Sequence, residues 1–165
     1  MEWRIDEHGI MLRNGEPFLP VGWFGLSASA MKEYGYNVAW LYLGPWQTVE
    51  NLRERLDKIA AAGGYAVIYP TVNNERPEAV TVAPINEKDA ELIRQRVRAL
   101  KDHPALLAWY LADEPEYHRV LPESVEQLRA LISEEDPWHP TIVLNNTFGG
   151  IRQFAQGGDI TAPDP

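Results

Sequence analysis

The sequence predicts an α/β fold: a (β/α)8 TIM barrel of which about six of the eight strands are present, after a short N-terminal β-hairpin. Short apolar runs alternate with amphipathic stretches of helical spacing along all 165 residues. The runs are too apolar to leave one face in water, which is typical of a parallel sheet covered by helices. At roughly 31 residues per barrel unit, the chain holds about five units and the hairpin.

The N-terminal segment is expected to form the hairpin and the first barrel strand. WRID and IMLR flank EHG, and NGEP then turns into FLPVGWF, which predicts a hairpin within 1–17 and a strand over 18–24. Ser27 is expected to begin a short helix that closes at Gly35. The run NVAWLYL at 37–43 is rich in β-branched and aromatic residues, so it predicts the second barrel strand.

The middle of the chain predicts two longer helices on either side of a third strand. Thr48 suits an N-cap, and the apolar residues after it recur at helical spacing until a Gly-Gly pair. YAVIYP at 65–70 predicts the third strand. The segment 71–86 is long for a compact domain, so it is a candidate binding loop, and Asn86 is expected to cap the next helix.

The last part of the chain predicts three more strands, at 106–112, 141–146 and 159–163. Pro122 suits the first position of the helix that follows the fourth strand, and a short helix is expected over 150–156. The whole chain, 1–165, is therefore expected to be one partial barrel domain, with the hairpin in 1–17 and strands one to six in 18–165.

A doubly wound open sheet, complete in 165 residues, is the alternative to the barrel. The first strand-to-helix turn, GWFGLSASA, lacks the G-x-G-x-x-G spacing that binds phosphate in such sheets, and no helix follows the last predicted strand. Polar and aromatic residues also collect at the carboxyl ends of several strands, where barrel enzymes hold their active sites. These residues are Trp23, Trp46, Tyr69, Glu114, Asn145 and Asp164.

The composition narrows the classes of partner. The formal net charge is −9, with acidic residues spread along the chain, which argues against nucleic acid or an anionic membrane. There is no cysteine, no run of 18 apolar residues and no leader-like start, and the compartment is left open. The four histidines are scattered outside any H-x-H or H-E-x-x-H pattern, so neither a metal nor another cofactor is predicted.

The stretch WYLADEPEYH carries the strongest functional signal, because a buried strand ends abruptly in two adjacent carboxylates and a proline. Burying such acids is unfavourable unless they are paired or have a function. Alternation along a strand predicts that Glu114 lies on the side of Tyr110 and Asp113 on the side of Trp109. A carboxyl group at the rim of a barrel is suited to general acid catalysis. The alternative is that both acids are solvated in a loop.

The segments GEPFLPVGWFG and HPALLAWYLADEP resemble the retaining glycoside hydrolases of clan A, which have a (β/α)8 barrel, and GGDITAPDP resembles the sixth strand of that clan. The resemblance implies that Glu114, at the end of the fourth strand, is the general acid/base. Asp113 stands where the clan usually has an Asn that contacts the 2-hydroxyl of the sugar. The resemblance also implies a Glu nucleophile on a seventh strand, beyond residue 165.

Other strand-end residues are candidates for sugar binding. The rings of Trp23, Trp46 and Tyr69 are expected to stack on a sugar, and Asn145 is expected to bind hydroxyl groups. The resulting hypothesis is a glycosidase acting on β-linked oligosaccharide or polysaccharide. The alternative is a non-catalytic carbohydrate-binding barrel that lacks a nucleophile. The two open sheet edges of six barrel strands are also expected to favour self-association.

Overall fold

The computed structural model describes residues 2–41, 48–70 and 84–164. A small antiparallel sheet opens the chain, formed in order by β1 (Trp3–Ile5), β2 (Met11–Arg13) and β3 (Glu16–Pro17). The sequence predicted a hairpin here, and the structure adds the third short strand. The backbone amide of Phe18 donates to the carbonyl oxygen of Met11 at 2.8 Å, which keeps the chain on this sheet just beyond β3.

Six parallel strands form the main sheet, and their order in space is their order in the chain. A doubly wound sheet reverses its order at the middle, so this consecutive order identifies the curved sheet of an incomplete (β/α)8 barrel. The predicted fold class is thus confirmed. The strands are β4 (Gly22–Phe24), β5 (Val38–Leu41), β6 (Tyr65–Ile68), β7 (Leu106–Asp113), β8 (Thr141–Asn145) and β9 (Ile160–Pro163).

Helices follow five of these strands and cover the outside of the sheet. They are α1 (Ala28–Tyr34), α2 (Val49–Ala61), α3 (Glu87–Leu100), α4 (Pro122–Glu135) and α5 (Phe148–Gln153). The side chains of Ser27, Thr48 and Asn86 each accept the amide hydrogen three residues on, at 3.0–3.2 Å, so the predicted N-caps are confirmed. Pro122 is at the start of α4, as predicted.

Apolar side chains at helical spacing pack between the helices and the sheet, where burying each one contributes about 1.5–3 kcal/mol to folding. Those of α2, α3 and α4 include Leu52, Leu56, Ile59, Ile93, Val97, Leu100, Val125, Leu128 and Ile132, all at most 3% exposed. In the described part of the chain, no helix is long and apolar enough to cross a membrane.

A buried polar cluster fixes the end of α4 against β7. Asp136 accepts hydrogen bonds from Trp109 Nε1 at 2.8 Å, from the backbone amide of Trp138 at 3.1 Å and from His139 Nδ1 at 2.8 Å. Burial raises the pKa of Asp136, but the bonds from His139, Trp109 and Trp138 outweigh burial and leave its pKa below the ordinary value. The Asp136 carboxylate therefore stays charged inside the protein, because these hydrogen bonds replace those that water would make to it.

Several element bounds differ from the sequence prediction by one to four residues, and two of these differences have a clear physical cause. The first barrel strand covers only Gly22–Phe24 rather than 18–24, because the preceding residues still follow the N-terminal sheet and Pro20 has no amide hydrogen for a strand ladder. Helix α5 begins two residues earlier than expected, because Thr147 Oγ1 accepts the amide of Gly150 at 2.8 Å and caps it. Most of the candidate loop 71–86 lies outside the described residues.

Candidate active site

The carboxyl ends of β7 and β8 bring the acidic segment beside the Asn-Asn pair. Asp113 is in register with Leu144, and the backbone amide of Glu114 donates to the carbonyl oxygen of Leu144 at 2.9 Å. The residues that follow the two strands are therefore neighbours, although about 30 positions separate them in the sequence. This juxtaposition is what parallel barrel strands produce at their carboxyl ends.

A register shift in β7 decides where Asp113 lies. The pairing with β8 shifts between Tyr110 and Ala112, so one extra residue is inserted in β7. The Tyr110 hydroxyl donates to Asp113 Oδ1 at 2.8 Å, so Asp113 lies on the side of Tyr110. The prediction that Asp113 shares the side of Trp109 is wrong, because the inserted residue breaks the alternation on which it depended.

Glu114 is the first residue past β7 and has an unusual backbone. Its φ is +44°, in the left-handed region that few non-glycine residues adopt. The side chain is half-buried, and its Oε1 accepts a hydrogen bond from Asn146 Nδ2 at 2.6 Å. The backbone carbonyl oxygen of Glu114 accepts the amide of Tyr117 at 3.0 Å, which closes a tight turn after the strand.

Glu116, two residues further on, joins the loop after β7 to the loop after β8. Its Oε1 accepts from the backbone amides of Asn146 and Thr147, at 3.0 and 3.1 Å, and from Thr147 Oγ1 at 3.1 Å. Its Oε2 accepts from Asn145 Nδ2 at 2.8 Å. Burial raises the pKa of Glu116, but hydrogen bonds from its own backbone amide, from Asn145 and from Thr147 together outweigh burial and lower its pKa below the ordinary value.

Aromatic side chains fill the barrel interior below the acidic residues. The rings of Tyr69 and Tyr110 meet edge to face at 4.5 Å, and Phe24 lies 5.8 Å from Tyr110 and 5.7 Å from Trp40. Burial raises the pKa of Tyr110, and the neighbouring Tyr69 and Asp113 raise it further. The Tyr110 hydroxyl therefore keeps its proton and donates a hydrogen bond to Asp113 Oδ1.

Of the other four residues predicted to bind sugar, the three that the structure describes do not form one group around Glu114. Trp23 is 58% exposed and its ring contacts Tyr36 at 5.2 Å; since the adjacent Phe24 points inward, Trp23 lies on the outer face of the sheet. Tyr69 is buried in the interior cluster, and Asn145 is fully buried beside Glu116. Trp46 lies outside the described residues. The roles of these four in sugar binding stay predictions.

Three residues at this site were missed or left secondary by the sequence reasoning. Asn146, rather than Asn145, reaches Glu114, and Glu116 anchors the loop. Tyr110 binds Asp113. A hint of this network was present, because two polar residues end β8 as two acids end β7, and neighbouring parallel strands place such residues side by side.

A separate cleft of about 570 Å³ lies between β1, the end of α4 and the start of β9. Its walls include Arg4, Arg129 and His139, and none of the predicted site residues lines it. Within residues 2–41, 48–70 and 84–164, no three His, Asp or Glu side chains are grouped so as to hold a metal ion.

No protein-family model matches the chain, and no curated protein sequence matches it significantly. Several solved structures, in contrast, superpose on the chain. An endo-1,4-β-mannanase from Eisenia fetida superposes with a TM-score of 0.66 and 14% identity, over 96% of this chain and 70% of that one. A β-glucuronidase from Bacteroides uniformis superposes with a TM-score of 0.63 and 18% identity, over 99% of this chain and 22% of that one.

A β-1,4-D-mannanase from Cryptopygus antarcticus superposes with a TM-score of 0.57 and 14% identity, over 81% of this chain. The chain spans 56% of the length of that mannanase and 44% of the length of another from Thermotoga petrophila. At these identities the likeness shows the fold. The resemblance to the barrel of the clan A glycoside hydrolases, read from the sequence, is thereby confirmed for the fold.

Proposed function

We propose that the chain is the acid/base-bearing part of a retaining glycoside hydrolase that acts on β-linked sugars. One observation carries the proposal: a carboxylate, Glu114, stands at the carboxyl end of the fourth barrel strand, held by an amide from the end of the fifth. That end of the barrel is where enzymes of this fold perform their chemistry. The similarity of the fold to mannanases and a β-glucuronidase supports the class of reaction.

In the proposed mechanism Glu114 acts twice. It first protonates the glycosidic oxygen as the bond to the anomeric carbon breaks, and it then deprotonates the water that releases the sugar. A second carboxylate, expected about 5–5.5 Å from Glu114 on a seventh strand, attacks the anomeric carbon in the first step. Asp113, with its carboxylate oriented by Tyr110, would contact the 2-hydroxyl of the sugar.

The first test is to read the coding sequence beyond Pro165. A strand-like run that ends in Glu within about two barrel units, each of roughly 31 residues, would supply the second carboxylate. A stop codon directly after residue 165 would contradict the retaining mechanism. It would favour the non-catalytic carbohydrate-binding alternative.

The second test is Glu114→Gln in the complete protein, assayed on β-1,4-mannan and on aryl β-glycosides. We expect kcat on mannan to fall by roughly 10²–10⁴-fold, because amide cannot donate the proton. A dinitrophenyl glycoside, whose leaving group needs no proton, should lose much less in the glycosylation step. The exposed Glu134 on α4 provides the matched control, since Glu134→Gln makes the same chemical change away from the site.

The outcomes separate the hypotheses. An equal loss of kcat/KM, which reports the glycosylation step, on both classes of substrate would contradict an acid role for Glu114. Unchanged turnover would remove Glu114 from the mechanism. Binding of oligosaccharide, detected by tryptophan fluorescence, without any new reducing ends would favour the carbohydrate-binding alternative.

A further inference from the structure

We infer that Asn146 is a positioning residue for Glu114 and that Glu116 holds Asn146 in place for this purpose. The inference deepens the proposed function and rests on it for its catalytic meaning. The structural part of the inference does not depend on the reaction, because it concerns only how Glu116 holds Asn146 and how Asn146 holds Glu114.

Asn146 is bonded at both its side chain and its backbone. Its side-chain Nδ2 donates to Glu114 Oε1 at 2.6 Å, and its backbone amide donates to Glu116 Oε1 at 3.0 Å. One residue therefore links the two carboxylates of the segment after β7. Because its backbone is fixed by one of them, its side-chain amide reaches the other from a defined position.

Glu116 is well suited to be the anchor, because its carboxylate is saturated by four donors. Three donors lie on Thr147 and Asn146, and the fourth is Asn145 Nδ2. The carboxylate also fills the space above Gly150, where an added Cβ would lie 2.8 Å from Oε2 and would overlap Oε1. Hydrogen bonds to a charged acceptor are among the stronger ones in proteins, so this loop is expected to be rigid.

Glu114 needs such support because of its location. It follows the last residue of β7, has a left-handed backbone, and carries a long side chain that extends from a turn. General acid catalysis requires its carboxyl group to be within hydrogen-bond reach of the leaving oxygen, and catalytic groups must be held to within about 0.5 Å. In the described residues, Asn146 is the side chain that contributes this hydrogen bond to Glu114.

The experiment compares Glu116→Ala with Glu116→Gln in isotope-labelled protein by NMR. The alanine removes the acceptor. The glutamine keeps Oε1 as acceptor for the amides of Asn146 and Thr147, and Asn145, whose Oδ1 has no partner within the described residues, can turn its amide to accept from the new Nε2. We expect a downfield, exchange-protected Asn146 side-chain amide in the original protein and in the glutamine variant. The alanine variant should lose it.

An internal control separates positioning from loss of the fold. The side-chain amide of Asn37, just before β5, donates to the carbonyl oxygen of Leu19 at 2.8 Å, far from Glu116 in the sequence, and its signal should persist in every variant. Should the alanine variant fail to fold, Gly150→Ala replaces it, since the added Cβ displaces the carboxylate without removing it. A protected Asn146 amide in a folded variant of either kind would overturn the inference.

Kinetics supply the catalytic readout. In the complete enzyme, Asn146→Ala and Glu116→Ala should each lower kcat at least tenfold with KM within about twofold, because a displacement of about 1 Å can reduce catalysis 10²-fold. Glu116→Gln should restore kcat to near the original value. An unchanged kcat in an active enzyme would overturn the positioning role. If no form hydrolyses any glycoside, the proposed function fails, whereas the NMR comparison still decides whether Glu116 holds Asn146 on Glu114.

Discussion

The effect of Gly150→Ala on the free energy of unfolding should change sign depending on whether Glu116 is present. Gly150 lies near the start of α5, where the Cβ of an alanine would overlap Glu116 Oε1 and approach Oε2 to 2.8 Å. Carbon and oxygen atoms essentially never lie closer than 3.0 Å in such contacts, so the carboxylate must move. Its movement breaks hydrogen bonds to Asn146 and Thr147.

The expected magnitude follows from two opposing terms. Alanine is favoured over glycine in a helix by roughly 1 kcal/mol. Each hydrogen bond to a charged group contributes about 1.5–3 kcal/mol, and loss of two of the four, partly replaced by water at this half-buried site, should cost about 3 kcal/mol. Gly150→Ala should therefore destabilise the original protein by about 2 kcal/mol. In a Glu116→Ala background it should stabilise by about 1 kcal/mol.

The assay is urea unfolding of the four proteins of this double-mutant cycle, followed by circular dichroism. The predicted coupling free energy is about 3 kcal/mol. Equal destabilisation by Gly150→Ala in both backgrounds would show that the alanine is resisted by something other than Glu116. A neutral effect in the original protein would show that the Glu116 carboxylate moves away freely, which would contradict its role as an anchor.

Two further predictions concern stability at acid pH and self-association. Because the pKa of Asp136 is lowered on folding, its contribution is complete above the unfolded value of about 3.9 and is lost as pH falls below it. In urea unfolding, the free energy of unfolding should decrease below about pH 4, and it should decrease less steeply with pH in Asp136→Asn. An equal dependence on pH in the two proteins would contradict the contribution of Asp136. Among the described residues no strand pairs with the outer edge of β4, and Trp23 on this strand is exposed, so this edge should promote self-association of the 165-residue chain. Trp23→Lys should weaken that association in sedimentation experiments, and an unchanged association would exclude this edge.

The parts of the fold that depend on local chemistry were predictable from the sequence. Ser27, Thr48 and Asn86 were recognised as N-caps because a cap acts on an amide only three residues away. The barrel order of the strands was preferred over the doubly wound order because the first turn lacks a phosphate-binding pattern and polar and aromatic residues collect at the strand ends. That the strands are parallel and covered by helices followed from the alternation of apolar runs with amphipathic ones, since parallel neighbours require a crossover helix. Glu114 was placed at the correct strand end for the same reason.

The network around Glu114 was beyond sequence reasoning because it depends on register. The inserted residue in β7 moved Asp113 to the side of Tyr110, and no local signal marks such an insertion. Glu116 bonds to residues about 30 positions later, a contact that exists only once two strands are paired. Trp23 is a different case, since alternation with Phe24 already indicates that only one of the two can point inward.

The left-handed backbone of Glu114 has a consequence for how this protein evolved. A non-glycine residue in that conformation lowers stability by about 1 kcal/mol or more, and Gly or Asn would relieve the strain at once. A single base change converts a glutamate codon into a glycine codon, so a chain selected for stability alone has a short route away from glutamate at this position. Under the proposed acid/base role, Glu114 is therefore a site where folding and activity compete.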